Sequence, residues 1–272
     1  MTLTHAQFER AVTMEDHQRR LARLSQMTKG SLHAILTGDP VEAALWVRSA
    51  AECGVAAAQL CLGRMLLDGK GLEHNAPERD EPAAFDWFSR AAVQGDAEAM
   101  NMVGRCHENG WGVPVDLGRA ASSYRASAEC GHDWGQYNLG NLLFDGRGVP
   151  PDRPQALHWF LLAASQGHGR AMNLVARCLE EGWGCRRSIE DAEYWYGQSA
   201  QSGYFRAQFN HAVLLVERGL ADQAAQWFWK AATGGDEPMR RTIAAALEEA
   251  AHPALRRVRA RVLELSAPPP DG

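Results

Sequence analysis

A small residue returns along this chain at nearly even intervals: Gly63, Gly104, Gly140, Ala176 and Ala212. The first interval is 41 residues and each of the others is 36. Each position sits inside a helical pattern. Around Gly140, small or apolar residues fall at Gly135, Leu139, Leu142 and Leu143, the spacing of one packed helix face. The run Asp145-Gly146-Arg147-Gly148-Val149-Pro150-Pro151 then stops the helix, because glycine accepts positive φ and proline cannot continue a helix. A second stripe follows at Ala156, Trp159, Ala163 and Ala164, and ends at Gly167, where a helix C-cap belongs. Neither helix can bury its stripe alone. A period near 36 built of two helices therefore predicts an α-solenoid, in which each pair is covered by its neighbours.

The rest of the repeat recurs with it. The Ala-x-x-Trp step stands at Ala43/Trp46, Ala84/Trp87, Ala156/Trp159, Ala192/Trp195 and Ala224/Trp227, with Ala120/Ser123 in the third copy. These tryptophans are read as core. A glycine follows eight residues later, at Gly54, Gly95, Gly131, Gly167, Gly203 and Gly235. The glycine turn recurs from Asp68 to Gly71, Asn109 to Gly112 and Glu181 to Gly184. This pattern, A-x-x-x-L-G-x-L-x-x-x-G-x-G-V followed by A-x-x-W-x-x-x-A-A-x-x-G, resembles Sel-1-like repeats, relatives of the tetratricopeptide repeat, from about Leu32 to Gly235. The resemblance implies an all-α, right-handed superhelix of helix pairs and a role in protein–protein interaction.

Within that frame, residues 1–29 are expected to form a helical cap, 30–250 the solenoid of about six pairs with one degenerate at each end, 251–266 a capping helix and 267–272 a disordered tail. Leu255, Val258, Val262 and Leu265 are expected to face inward. The five extra residues of the first interval fall in Glu73–Pro82, an acidic, proline-containing insertion that reads as a mobile surface loop.

The bulk chemistry excludes several classes. A net charge of −5 with no basic run argues against nucleic acid as a partner. No apolar signal core and no run of 18 apolar residues is present, so the expectation is a cytoplasmic protein without a membrane segment. Six cysteines without a CxxC are expected to be reduced, with Cys106 and Cys178 in the core and a Cys53–Cys61 disulfide the less favoured reading. His132 and His168 occupy equivalent positions one repeat apart, too far for one metal to bridge stacked helices. No catalytic, nucleotide or metal motif is found, and the expectation is a non-enzyme without cofactor or metal.

Candidate binding residues come from the helix face opposite the packed one, which by resemblance to tetratricopeptide repeats lines the concave groove. Counting from the small residue as zero, the +1 row reads Arg64, Arg105, Asn141 and Arg177. The −3 row reads Asn101, Tyr137, Asn173 and Phe209, and the −6 row ends Trp134, Arg170 and Arg206. Arginine forks, asparagines and exposed rings are interface chemistry. The plainer alternative is that Arg64/Asp68 and Arg177/Glu181 pair along their own helices. Trp111 and Trp183, at the centre of two turns, are a possible second contact surface. The function expected is a monomeric adaptor that holds a peptide or partner protein in the groove. The alternative is an obligate subunit or immunity-type inhibitor of a co-encoded enzyme or toxin.

Overall fold

The computed structural model describes residues 40–69 and 79–266, with isolated helical positions at 19, 20 and 22. The N-terminal cap expected over 1–29, most of the insertion and the 267–272 tail lie outside the described residues. Every regular element described is a helix. In chain order they are α1 (Pro40–Glu52), α2 (Ala56–Asp68), α3 (Glu81–Val93), α4 (Ala97–Asn109), α5 (Leu117–Glu129), α6 (Asp133–Asp145) and α7 (Arg153–Ser165). There follow α8 (Gly169–Glu181), α9 (Ile189–Gln201), α10 (Phe205–Glu217), α11 (Ala221–Gly234), α12 (Glu237–Ala246) and α13 (Pro253–Ser266). The chain divides into two compact units, the first ending at Gly135 and the second beginning at Gln136.

Local chemistry sets the helix ends. Side chains of Asp80, Asp96, Asp116, Asp152, Ser188 and Asp236 accept the backbone N–H three residues on, satisfying an otherwise orphaned donor of the first turn. His132 and His168 serve the same purpose, Nδ1 accepting from Gly135 N–H at 3.2 Å and from Ala171 N–H at 3.1 Å. They are helix caps. The C-cap glycines at 54, 95, 131, 167 and 203 all have positive φ, but Gly235 is extended (φ −95°) because α11 runs on through Gly234 into the terminal helices.

The small residue at the repeat origin has a direct cause. A Cβ on Gly140 would lie 2.5 Å from the ring of Phe160, and one on Gly104 2.6 Å from Tyr124. In these pairs the second helix therefore sets an aromatic ring directly against the first. That ring is one residue later than the tryptophan of the sequence pattern. Phe88, Tyr124, Phe160, Tyr196 and Phe228 are buried, whereas Trp87, Trp159, Trp195 and Trp227 are only half-buried at the rim. Trp46 alone of the five is fully buried. The reason is helical geometry: Ala84 and Phe88 are four apart on one face, and Trp87 falls beside it. Arg90 lies over Trp87 at 4.6 Å and Lys230 over Trp227 at 4.1 Å, as suits rings with one wet side.

Packing also alternates. The core ring runs Phe88, Tyr124, Phe160, Tyr196, Phe228. Each tyrosine hydroxyl donates to a glutamate of its own pair, Tyr124 to Glu108 and Tyr196 to Glu180, both at 2.6 Å, as a buried hydroxyl needs an acceptor. The phenylalanine pairs carry Leu67, Phe144 and Val216 at that glutamate position. Ser127 and Ser199 Oγ donate to the carbonyls of Ala97 and Gly169 in the tyrosine pairs. In the phenylalanine pairs, Gln94 donates to Gln59 at 2.7 Å and Gln166 to Gln136 at 2.9 Å. The packing period is thus two helix pairs, 72 residues, against a sequence motif of 36.

Three other expectations are corrected. Glu81 and Pro82 belong to α3, with Asp80 as N-cap, so the insertion is shorter than Glu73–Pro82. The final repeat helix, expected over Glu237–Ala250, stops at Ala246. On α13, Leu255, Val258 and Val262 are buried but Leu265 is 49% exposed, because the helix outruns its partner surface.

All six cysteines are free thiols. Burial pushes the Cys106 and Cys178 thiols up to about 12, so at pH 8 roughly one in ten thousand would be thiolate, the reactive form. A native aromatic-disulfide titration at pH 8 should label the exposed Cys53, Cys61 and Cys130 first. Cys106 and Cys178 should appear only on unfolding; labelling of all six in one phase would contradict this burial.

Candidate functional site

In the second unit, one open cavity of about 500 Å³ gathers most of the residues expected in the groove. The first helices α6, α8 and α10 supply Tyr137, Asn141, Arg170, Asn173, Arg177 and Arg206. Tyr204 and Phe209 add two further rings, and Asp236, Met239 and Thr242 close it from the α11–α12 junction and α12. Arg170, Arg177 and Arg206 are exposed, Tyr137 and Tyr204 half-buried. Tyr137 stacks on the capping ring of His168 at 4.8 Å. Arg170 lies 5.9 Å from the Tyr204 ring and Arg206 5.9 Å from Phe205. Burial raises the Tyr204 hydroxyl above its ordinary value, with the neighbouring arginines pulling the other way, so it is a neutral donor at physiological pH. The wall presents three guanidinium groups against one carboxylate, Asp236, whose Oδ1 is engaged as the α12 cap.

In the first unit, Arg64, Arg105 and Trp111 line a smaller cavity of about 350 Å³ with Leu67, Asp68, Arg79 and Met102. The two turn tryptophans differ in this: Trp111 lines that cavity and Trp183 lines neither. Both are half-buried and each carries the +1 arginine of its own helix: Arg105 lies 4.9 Å from Trp111 and Arg177 5.3 Å from Trp183.

The pairings along single helices do not form. Arg64 pairs with Glu98, and Arg105, Arg177 and Arg206 make no ion pair among the described residues. The asparagines of the −3 row lie deeper than an open face implies. Asn101 and Asn173 are each 5% exposed, and Asn173 accepts from Asn210 at 3.0 Å. They satisfy the interior of the tyrosine-type pairs, and Asn173 also lines the cavity. Trp134 is exposed, at the start of α6, and does not line either cavity. Tyr204, Asp236, Met239 and Thr242 were not reached from the sequence. Tyr204 follows a capping glycine in the place of Asp96, His132 and His168, a place that reads as a helix cap.

Among the described residues no helix is long and apolar enough to cross a membrane, and no cluster of three or more His, Cys, Asp or Glu could hold a metal ion. Helix pairs that bury one another's rings and leave a polar groove define an all-α repeat superhelix of the interaction-scaffold class. The chain belongs to the Sel1 repeat family: the repeat model matches residues 18–55, 56–96, 97–132, 135–168, 169–204 and 206–236. Proteins of this family are generally non-catalytic scaffolds that bind other proteins. A curated relative, DAP3-binding cell death enhancer 1 of Rattus norvegicus, is 35% identical over 96 residues, 35% of this chain and 18% of that protein. Among solved structures, c5321, a protective antigen of uropathogenic Escherichia coli with an SLR fold, aligns over 96% of this chain at a TM-score of 0.71 and 23% identity. This chain spans 56% of that antigen. A Sel1 repeat protein from Oxalobacter formigenes aligns at 0.67 and 24% identity, covering 81% of this chain and 95% of its own. Immunity protein PA5088 from Pseudomonas aeruginosa shares the fold at 0.51 and 16% identity, over 78% of this chain and 80% of its own.

Proposed function

We propose that the chain is a non-catalytic adaptor that holds an acidic, ring- or methyl-bearing segment of a partner protein in the groove of its second unit. The observation that carries this reading is the convergence on one open cavity of the exposed guanidinium groups of Arg177 and Arg206, from two successive first helices, with the half-buried rings of Tyr137, Tyr204 and Phe209. Arg177 and Arg206 make no ion pair among the described residues, so their donors are available to carboxylates. Tyr137, Tyr204 and Phe209 supply the apolar part of a contact. Such a cavity is open and polar, as suits an extended chain better than a small enclosed substrate.

The test is a peptide array probed with the full chain. Binders should be enriched in Asp or Glu beside an aromatic or branched residue, and binding should fall when Tyr204→Ala is introduced. Enrichment of basic peptides, or equal capture by Tyr204→Ala, would remove the reading. The alternative of an obligate inhibitor-type partner draws on the fold shared with PA5088 and is separated by behaviour alone. An adaptor is a monomer by analytical ultracentrifugation without its partner; an obligate subunit self-associates.

A further inference from the structure

The two glycine turns that carry a tryptophan are built alike, yet one holds a carboxylate and the other does not. At the Trp111 turn, Arg79 and Arg105 both approach the indole, at 5.7 and 4.9 Å. Glu81 completes it. Its carboxylate pairs with Arg79 at 2.8 Å and accepts the Gly112 N–H at 3.2 Å. At the Trp183 turn, Arg153 and Arg177 approach the indole at 5.8 and 5.3 Å. Phe144 stands edge-on at 5.2 Å. The backbone fit is the same: Gly112 packs on Glu81 and Pro82, and Gly184 on Arg153 and Pro154, with no room for a Cβ in either case.

The position of Glu81, counted on by the 72-residue packing period, is Arg153. The second turn has therefore exchanged its internal acid for a second base. Neither Arg153 nor Arg177 has a carboxylate partner among the described residues, and Gly184 N–H, the counterpart of Gly112 N–H, has no protein acceptor there. Two like charges drawn to one ring repel each other, and an anion between them removes that cost.

We propose that the Trp183 turn is a receptor for one side-chain carboxylate of a protein partner, held between Arg153 and Arg177 in the place that Glu81 fills at the Trp111 turn. It rests on the groove reading only through Arg177, which belongs to both. The occupant is an Asp or Glu side chain, because at the first turn a carboxylate of that kind accepts the equivalent backbone N–H and pairs with an arginine that lies against the indole.

The full chain, labelled with ¹⁵N, reads this through the Trp183 indole N–H resonance, assigned by its loss in Trp183→Phe. The probe is acetyl-tetraglutamate amide, with acetyl-tetraglutamine amide and inorganic phosphate as controls. The expected result is a saturable shift of the Trp183 resonance with tetraglutamate alone. Arg153→Glu supplies the missing internal acid and should weaken that response at least tenfold. Glutamate at the first position of α7 suits the helix dipole, so this variant should fold as the parent does; Arg153→Gln, without the internal acid, should weaken it less. Arg206→Gln disables the groove and should leave the Trp183 shift in place, so the two readings fail separately. A Trp183 resonance that ignores tetraglutamate, moves equally with tetraglutamine, answers to phosphate alone, or is unchanged in Arg153→Glu would overturn the proposal.

Discussion

Phe160→Ala should destabilise the second unit by about 3–5 kcal/mol, the usual cost of truncating a buried aromatic and leaving its cavity. Phe160 is 1% exposed and lies against Gly140, with the rings of Tyr137 and Phe144 at 6.3 and 6.4 Å. Trp159→Ala, one residue earlier, should cost less than half as much, because that ring is already partly in water. Urea midpoints compare the two directly, and equal shifts would show that the ring lying on Gly140 is not the keystone of the pair. The reverse substitution tests the same contact: Gly140→Ala sets a Cβ 2.5 Å from the buried Phe160 ring, and overpacking of that kind costs about 1–3 kcal/mol.

The second large effect concerns the groove. Arg177→Gln with Arg206→Gln should reduce affinity for an acidic peptide selected on the array at least a hundredfold. Each charge-assisted hydrogen bond contributes about 1.5–3 kcal/mol, and two such losses at the lower bound already exceed two decades in Kd, at about 1.4 kcal/mol per decade. Stability should barely change, since both side chains are exposed and make no ion pair among the described residues. Calorimetric titration of a variant that keeps the parent circular dichroism decides the matter. Unchanged affinity in the folded double variant would place the binding surface elsewhere.

The pair architecture was legible because glycine, alanine and aromatic positions are set by close contact, and contact constrains residue size at fixed spacing. The depth of each ring was not. Trp159 and Phe160 are neighbours of similar hydrophobicity, and only the packing against Gly140 tells which goes inside. The groove was half legible. Asn141, Arg170, Arg177, Arg206 and Tyr137 lie on repeating helices, where a row in sequence is a row in space. Asp236, Met239 and Thr242 come from the end of α11 and from α12, beyond the repeat, so no row pointed to them. The helical period alone sets Asn101 and Asn173 on the open face. The column alternates Asn with Leu60, Tyr137 and Phe209, and the asparagines belong to the buried register of every second pair.

That alternation limits how such a chain can change length. Asn210 donates to Asn173 of the preceding pair, so neighbouring pairs are matched as unlike partners. Excising one pair, residues 169–204, would set Asn210 against Tyr137 and strand a half-buried amide, at a cost of about 1–3 kcal/mol. Excising two, residues 133–204, would set it against Asn101 and restore the match. The heritable module of this solenoid is then a doublet. Its lineage should lengthen or shorten in steps of 72 residues, and a shortened chain made that way should melt more cooperatively than one made by removing 36.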